Sequence, residues 1–207
     1  MAVSLKKGQG VSLSKNDFDL SNVTMGLGWD VAEEKPGFFG TLLGKKPADY
    51  DLDAVAFLLG ANGKVNDLGT KLVNGDVVFF NSMKHQSGNV WLTGDNRSGA
   101  GDGDDEQIIV QLSKLDPRYQ RVVFVVQIYN GRENGQSFGN VKNAFIRAVD
   151  GRGKEMARFD LSGGASFSNY RSLLFAELTR EGDGWKFNAI GQPYETDSFV
   201  EILKTFI

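Results

Sequence analysis

The sequence predicts an all-β fold, an antiparallel β-sandwich of two sheets with a short C-terminal helix. Three observations predict it. Glycine is frequent, with 26 residues against 4 prolines, and it falls between short β-branched and aromatic runs, the punctuation of an all-β chain. Two runs are continuous rather than alternating, VAFLL (55–59) and VVFVVQIY (122–129), as strands covered on both faces read. Glycine-rich turns, not long helical crossovers, join neighbouring runs, which implies largely antiparallel pairing. With 207 residues, 41% apolar content and 15 Phe, the chain can bury a sizeable core. It reads as a single domain over residues 1–207.

Strands are expected first at Val3–Leu5, Val11–Leu13 and Thr24–Trp29, each a short run bounded by glycine or polar residues. Asp53–Leu59 contains the first continuous apolar run. Ala61-Asn62-Gly63-Lys64 follows it, and Asn-Gly suits positive φ in a tight turn. Asp76–Phe80, Val90–Thr93 and Gln107–Leu112 come next, then Arg121–Tyr129 with the second continuous run. Ala144–Val149 and Lys154–Asp160 are joined by Asp150-Gly151-Arg152-Gly153. Leu173–Arg180 and Trp185–Gly191 are joined by Glu181-Gly182-Asp183-Gly184. In KFNAI, Phe187 and Ala189 belong to one face, Lys186 and Asn188 to the other. The C-terminal helix is read from TDSFVEILKTFI, where Thr196 or Asp197 caps the first turn. Its stripe of Phe199, Ile202, Leu203 and Phe206 packs onto the sandwich. A shorter helical turn is expected at Ser137–Asn143. The inserted loop, about 32–49, is charged at both ends and carries Phe38, Phe39, Leu42 and Leu43. These four either fold back on the core or form a docking tip.

Composition excludes several function classes. The net charge is −3 with no basic face, so no nucleic-acid partner is expected. No apolar run approaches the ~18 residues of a membrane span. The stretch MAVSLKKGQG has no apolar h-region, so no signal peptide is expected. The chain has no cysteine, which removes disulfides, thiolate metal sites and Cys nucleophiles. The single histidine, His85, sits in polar NSMKHQSGN and reads as an exposed loop residue. One imidazole is too few for an ordinary zinc site.

The chemistry concentrates in GDNRSGAGDGDDE, residues 94–106. It holds five acids (Asp95, Asp102, Asp104, Asp105, Glu106) and one base, Arg97. Carboxylates 4 Å apart repel by about 1 kcal/mol in water, and by more where water is reduced. Predicted strands hold both ends of this segment, so it cannot relieve the repulsion by stretching. A divalent cation turns that repulsion into coordination. The donors are all oxygens, which suits Ca²⁺, Mg²⁺ or Mn²⁺. The flexible, glycine-rich geometry suits calcium best. The loop is not an EF-hand. With Asp95 as position 1, Glu106 falls correctly at 12, but Arg97 and Gly99 occupy ligand positions 3 and 5 and Ala100 occupies the glycine position 6. Two more acids, Asp51 and Asp53 in YDLDAVAFLL, have the i, i+2 spacing that places both on one face of a strand. Asp30 ends a third predicted strand. Three loops at one end of a sandwich would surround one or two ions.

These segments also carry a family resemblance. GLGWD (26–30), DLDAVAFLL (51–59), GDNRSGAGDGDDE, VVFVVQIY, FGNVKNAFIR (138–147) and LLFAELTREGDGWKFNAIGQPY (173–194) occur in an order that resembles the TerD family of tellurium-resistance and stress-response proteins. The resemblance covers nearly the whole chain, although the 32–49 loop is longer and more apolar than the family pattern. It implies a calcium-binding β-sandwich, bacterial and cytoplasmic or peripheral to the inner membrane. It also implies work with other stress-response proteins in a membrane-associated complex, without established catalytic activity. Metal roles carry over onto Asp51, Asp53, Asp95, Asn96, Asp102, Asp104, Asp105 and Glu106, and onto Asp30. Two calcium ions are expected.

Chemistry narrows the role further. A chain without thiols is ill suited to reduce tellurite by itself, so a calcium sensor or scaffold is the favoured reading. Three alternatives stand beside it: a calcium-dependent membrane-surface module, a metal-dependent hydrolase using paired carboxylates, and a purely structural ion.

Overall fold

The computed structural model describes residues 2–31, 50–93, 103–161 and 167–207. Among the described residues there are twelve strands: β1 (Val3–Leu5), β2 (Gly10–Leu13), β3 (Val23–Val31), β4 (Leu52–Leu59), β5 (Val77–Val78), β6 (Val90–Leu92), β7 (Glu106–Val110), β8 (Arg121–Ile128), β9 (Val141–Val149), β10 (Glu155–Leu161), β11 (Ser172–Glu181) and β12 (Gly184–Tyr194). They form two six-stranded sheets, in the orders β1-β10-β9-β3-β7-β6 and β2-β12-β11-β8-β4-β5. Pairing is antiparallel except where β1 joins β10. The inserted loop at 32–49, with its four apolar residues, lies outside the described residues.

The sheets face each other across one large apolar core. The first sheet supplies Met25, Leu27, Ile108, Val110 and Ile146, and the second supplies Ala56, Leu58, Val122, Phe124 and Phe187. The alternate residues of β4 and β8 turn the other way. Val55, Phe57, Leu59, Val123 and Val125 form a second apolar layer with Leu174, closed by Phe199, Ile202 and Leu203 of the C-terminal helix α1 (Phe199–Leu203). Phe57 sits at its centre, with ring centroids 6.3 Å from Phe199 and 5.9 Å from Phe206. Hence β4 and β8 read as unbroken apolar runs. One face fills the sandwich, and the other is roofed by the helix.

The β9–β10 and β11–β12 hairpins turn where expected. Gly182 has φ +60° at the first of the two residues between paired Glu181 and Gly184, where a II′ turn requires glycine. The Asn62-Gly63 turn forms too, with Gly63 at φ +73°, but it is only the start of a longer connection between the paired strands β4 and β5. The chain runs on to residue 76 before β5 begins.

Two helical expectations need correction. Neither Thr196 nor Asp197 caps α1, whose N-cap is Ser198 with no side-chain cap bond. Asp197 instead accepts the amide of Arg132 at 2.9 Å, and Thr196 Oγ1 accepts the Ser198 amide at 3.1 Å, one residue short of the helix. α1 continues as a 3₁₀ turn over Lys204–Phe206. The segment 137–143 holds only a 3₁₀ turn, Phe138–Asn140, because β9 already begins at Val141.

Candidate functional site

Strand pairing brings the described acids to one end of the sandwich. β3 runs antiparallel to β7 with Leu27 opposite Glu106, so Asp30 at the end of β3 lies beside the turn entering β7. The Ala54 amide at the start of β4 donates to Glu106 Oε2 at 2.5 Å. That bond brings the β4 end, with Asp51 and Asp53, to the same place. Asp95, Asn96 and Asp102 lie outside the described residues.

The run Asp104–Glu106 sends its three carboxylates in three directions. Glu106 points inward, in step with Ile108 and Val110, and is buried. Asp105 Oδ2 accepts the Trp29 amide at 2.9 Å, and its own amide donates to the Leu27 carbonyl at 2.8 Å. Asp104 lies on the opposite face of the first sheet from the core, against Gly26. A Cβ there would come within 2.2 Å of its carboxyl group, so glycine makes the seat. The Asp104 side chain is only 2% exposed. Its Oδ1 accepts Arg147 Nε at 2.7 Å and its Oδ2 accepts Gln107 Nε2 at 3.2 Å.

The other acids have partners as well. Asp30 is exposed and accepts the Asn143 side-chain amide at 2.6 Å. Asn143 adopts φ +51°, a left-handed conformation that Asn tolerates better than most side chains. The β3–β9 register slips between Gly28 and Asp30, and such a bulge re-aims the residues around it. Asp53 is buried, and its Oδ2 accepts Gln127 Nε2 at 2.9 Å. Gln127 Oε1 in turn accepts the Phe199 amide at 2.7 Å. The acidic end is thereby joined through two hydrogen bonds to the first residue of α1. The Asp51 carbonyl accepts the Tyr129 amide at 2.8 Å.

Asp30, Gly103, Asp105, Asn143, Phe145 and Arg158 line an open cleft of about 330 Å³. Burial, and then the neighbouring charges of Asp30 and Asp104, push the Asp105 carboxyl up against the lowering effect of the Trp29 amide. Burial is the main cause and the like charges only add to it, while Arg147 and Arg158 line the same cleft. The donors are hard oxygens, which suit calcium. Among the described residues no three acids or histidines stand close enough together to hold an ion by themselves. Of the described acids, only Asp30 and Asp105 line the cleft.

Sequence reasoning missed the partners of the acids. Arg147, Asn143 and Gln127 engage Asp104, Asp30 and Asp53 from other strands, and Gln107 engages Asp104 from the start of β7. Only Gln107 is a near neighbour in the chain.

It also misplaced His85, which is buried, not exposed. The Ser87 amide donates to His85 Nδ1 at 3.1 Å, so Nε2 carries the proton shared with Asp76 Oδ1 at 3.2 Å. The Tyr119 hydroxyl donates to the same Asp76 oxygen at 2.5 Å. The Asp67 amide donates to Asp76 Oδ2 at 3.0 Å. Burial alone would raise the Asp76 carboxyl, but the bonds from His85, Tyr119 and Asp67 outweigh it and leave it below the ordinary carboxylate range. Burial, with the Asp76 charge beside it, pushes the Tyr119 hydroxyl up. This cluster lies at the far end of β4 from the acids, where the Leu58 amide meets the Asp76 carbonyl.

Known proteins resemble this one over the whole chain. The family model described as the TerD domain matches residues 1–206. Tellurium resistance protein TerX of Serratia marcescens is 63% identical over 213 aligned residues, covering 100% of both chains. Stress response protein SCP2 of Bacillus subtilis (strain 168) is 38% identical, again covering 100% of both. A crystal structure of a homologue of telluride resistance protein from Streptomyces coelicolor A3(2) superposes with a TM-score of 0.64. At 21% identity over 90% of this chain and 98% of that one, it speaks for the fold alone. No helix among the described residues is long and apolar enough to cross a membrane.

Proposed function

The chain belongs to the TerD family of tellurium-resistance and stress-response proteins, and from that premise we propose that it is a non-catalytic calcium sensor or scaffold. It takes up two calcium ions at the acidic end of the sandwich, through Asp30, Asp51, Asp53, Asp104, Asp105 and Glu106 together with Asp95, Asn96 and Asp102. It then acts within a cytoplasmic assembly of stress-response proteins at the membrane surface.

One observation carries the reading. The acidic run is tied at once to both sheets and, through Asp53 and Gln127, to the C-terminal helix. Neutralising crowded acids by coordination therefore acts on elements far larger than one loop. Such coupling is what a sensor needs, because a local charge change must bias a larger element. An isolated surface ion would have no such reach.

Calcium at 100 times its dissociation constant should stabilise the native protein by about 2.7 kcal/mol. For a chain of this length that is a rise of about 5–10 °C in melting temperature. Replacing Asp104 and Asp105 together by Ala is expected to leave less than about 2 °C of that rise. A double variant that responds to calcium as the parent does would refute the site. Cosedimentation with anionic liposomes, with and without calcium, separates protein docking from direct lipid binding.

A further inference from the structure

We infer that Ser87 is a modification site: its hydroxyl is activated as a nucleophile by His85 and Asp76 and takes an acyl group from an activated ester. The inference is independent of the calcium reading, because this cluster lies at the other end of the sandwich.

Three side chains form a relay. The Ser87 hydroxyl lies 2.8 Å from His85 Nδ1, and His85 Nε2 lies 3.2 Å from Asp76 Oδ1. A nucleophile within hydrogen-bond reach of a base, with the base held by a third group, is the arrangement that activates a serine. The surrounding bonds fix the roles. His85 Nδ1 also accepts the Ser87 amide, at 3.1 Å, so the unprotonated nitrogen is the one that faces the hydroxyl. Asp76 is held as a carboxylate by Tyr119 and Asp67 as well as by His85. It therefore stabilises the imidazolium that forms when His85 takes a proton.

Burial separates the base from the nucleophile. His85 and Asp76 are 1% and 2% exposed, whereas Ser87 is exposed. The base is shielded from water while the hydroxyl is open to a donor. The Gly88 amide closes the turn on the His85 carbonyl at 2.8 Å. A Cβ on Gly88 would meet only Lys84 Cε, at 3.8 Å, so the approach over the turn is open on that side.

In the step, Ser87 Oγ bonds to the acyl carbon and the bond from that carbon to the leaving oxygen breaks. The hydroxyl proton passes by way of His85 Nδ1 to the departing group, and the product is an ester on Ser87. The nearest amides are already engaged, Gly88 on the His85 carbonyl and Asn89 on Ser87 Oγ at 3.2 Å. Neither is free to stabilise an oxyanion. Transfer should therefore be slow and stop at the ester, without turnover.

The test treats the full chain with p-nitrophenyl acetate and maps the acetyl groups by peptide mass. Ser87 should be acetylated about 100-fold faster than exposed serines outside the cluster, such as Ser4, the low end of what a positioned general base supplies. His85→Gln removes the base and should bring Ser87 down to their rate. Asp76→Asn leaves the ring but removes the charge behind it, and should fall between.

Acetylation of Ser87 no faster than that of Ser4, or a His85→Gln variant that keeps the parent's rate, would overturn the inference. The unaltered chain decides it if the variants fail to fold. Its preference for Ser87 should vanish in denaturing urea, where Asp76 and His85 come apart. A preference that survives unfolding would belong to the local sequence and would contradict the relay.

Discussion

Asp76→Ala is expected to destabilise the protein by about 3 kcal/mol or more, because it strips the acceptor from several buried donors at once. The Tyr119 hydroxyl, the His85 ring and the Asp67 amide all converge on this carboxylate. For a chain of this length the melting temperature should fall by about 6–12 °C. Asp76→Asn keeps the shape and one acceptor, so it should lose less.

The effect of Asp76 should also depend on pH. Its folded carboxyl lies below the ordinary value of 3.8, so the folded state holds the charged form more tightly than the unfolded state does. Its contribution is present above that ordinary value and is lost as the pH falls through the lower, folded one. The gap in stability between the parent and the Asn variant should therefore narrow below about pH 4. Melting curves at pH 7 and pH 3 measure it. A gap that widened on acidification, or an Ala variant melting with the parent, would show that the cluster does not clamp this end of the sandwich.

Phe57→Ala carries the second large effect, about 3–5 kcal/mol. The ring is fully buried between the second sheet and α1, and it touches the aromatic rings on both sides of the helix end. Its loss leaves a cavity that a stiff sheet fills poorly. The damage should spread to α1, which holds only five α-helical residues and cannot persist without packing. Faster amide exchange at Ile202 and Leu203 in this variant than in the parent would confirm that the roof depends on the ring. Unchanged exchange there would contradict it.

The strands were legible because their signals are local. β-branched and aromatic runs closed by glycine mark each one, and the two unbroken runs foretold a sheet covered on both faces. The convergence of Asp30, the Asp51–Asp53 pair and the acidic run at one end was legible for the same reason. Each acid stands at a strand boundary, and antiparallel pairing does the rest.

What was not legible depends on distant partners. His85 looks like a polar turn residue because nothing nearby announces Tyr119, 34 residues on. Asp104 gives no local sign of its ion-pair partner, because Arg147, 43 residues away, is hidden among the apolar residues of β9. Asp197 looks like a cap until the Arg132 amide, from another loop, takes its oxygen. In each case local chemistry was read correctly as a polar group needing a partner, and tertiary structure chose which partner.

On the calcium reading, the carboxylates gathered at this end of the sandwich are completed by a hard divalent ion. Calorimetric titration of the chelator-washed full chain with calcium tests it most directly. Saturable uptake of two ions, with magnesium at the same concentration failing to compete, is the expected result. Absence of uptake up to about 1 mM, the weak end of protein calcium sites, would contradict it.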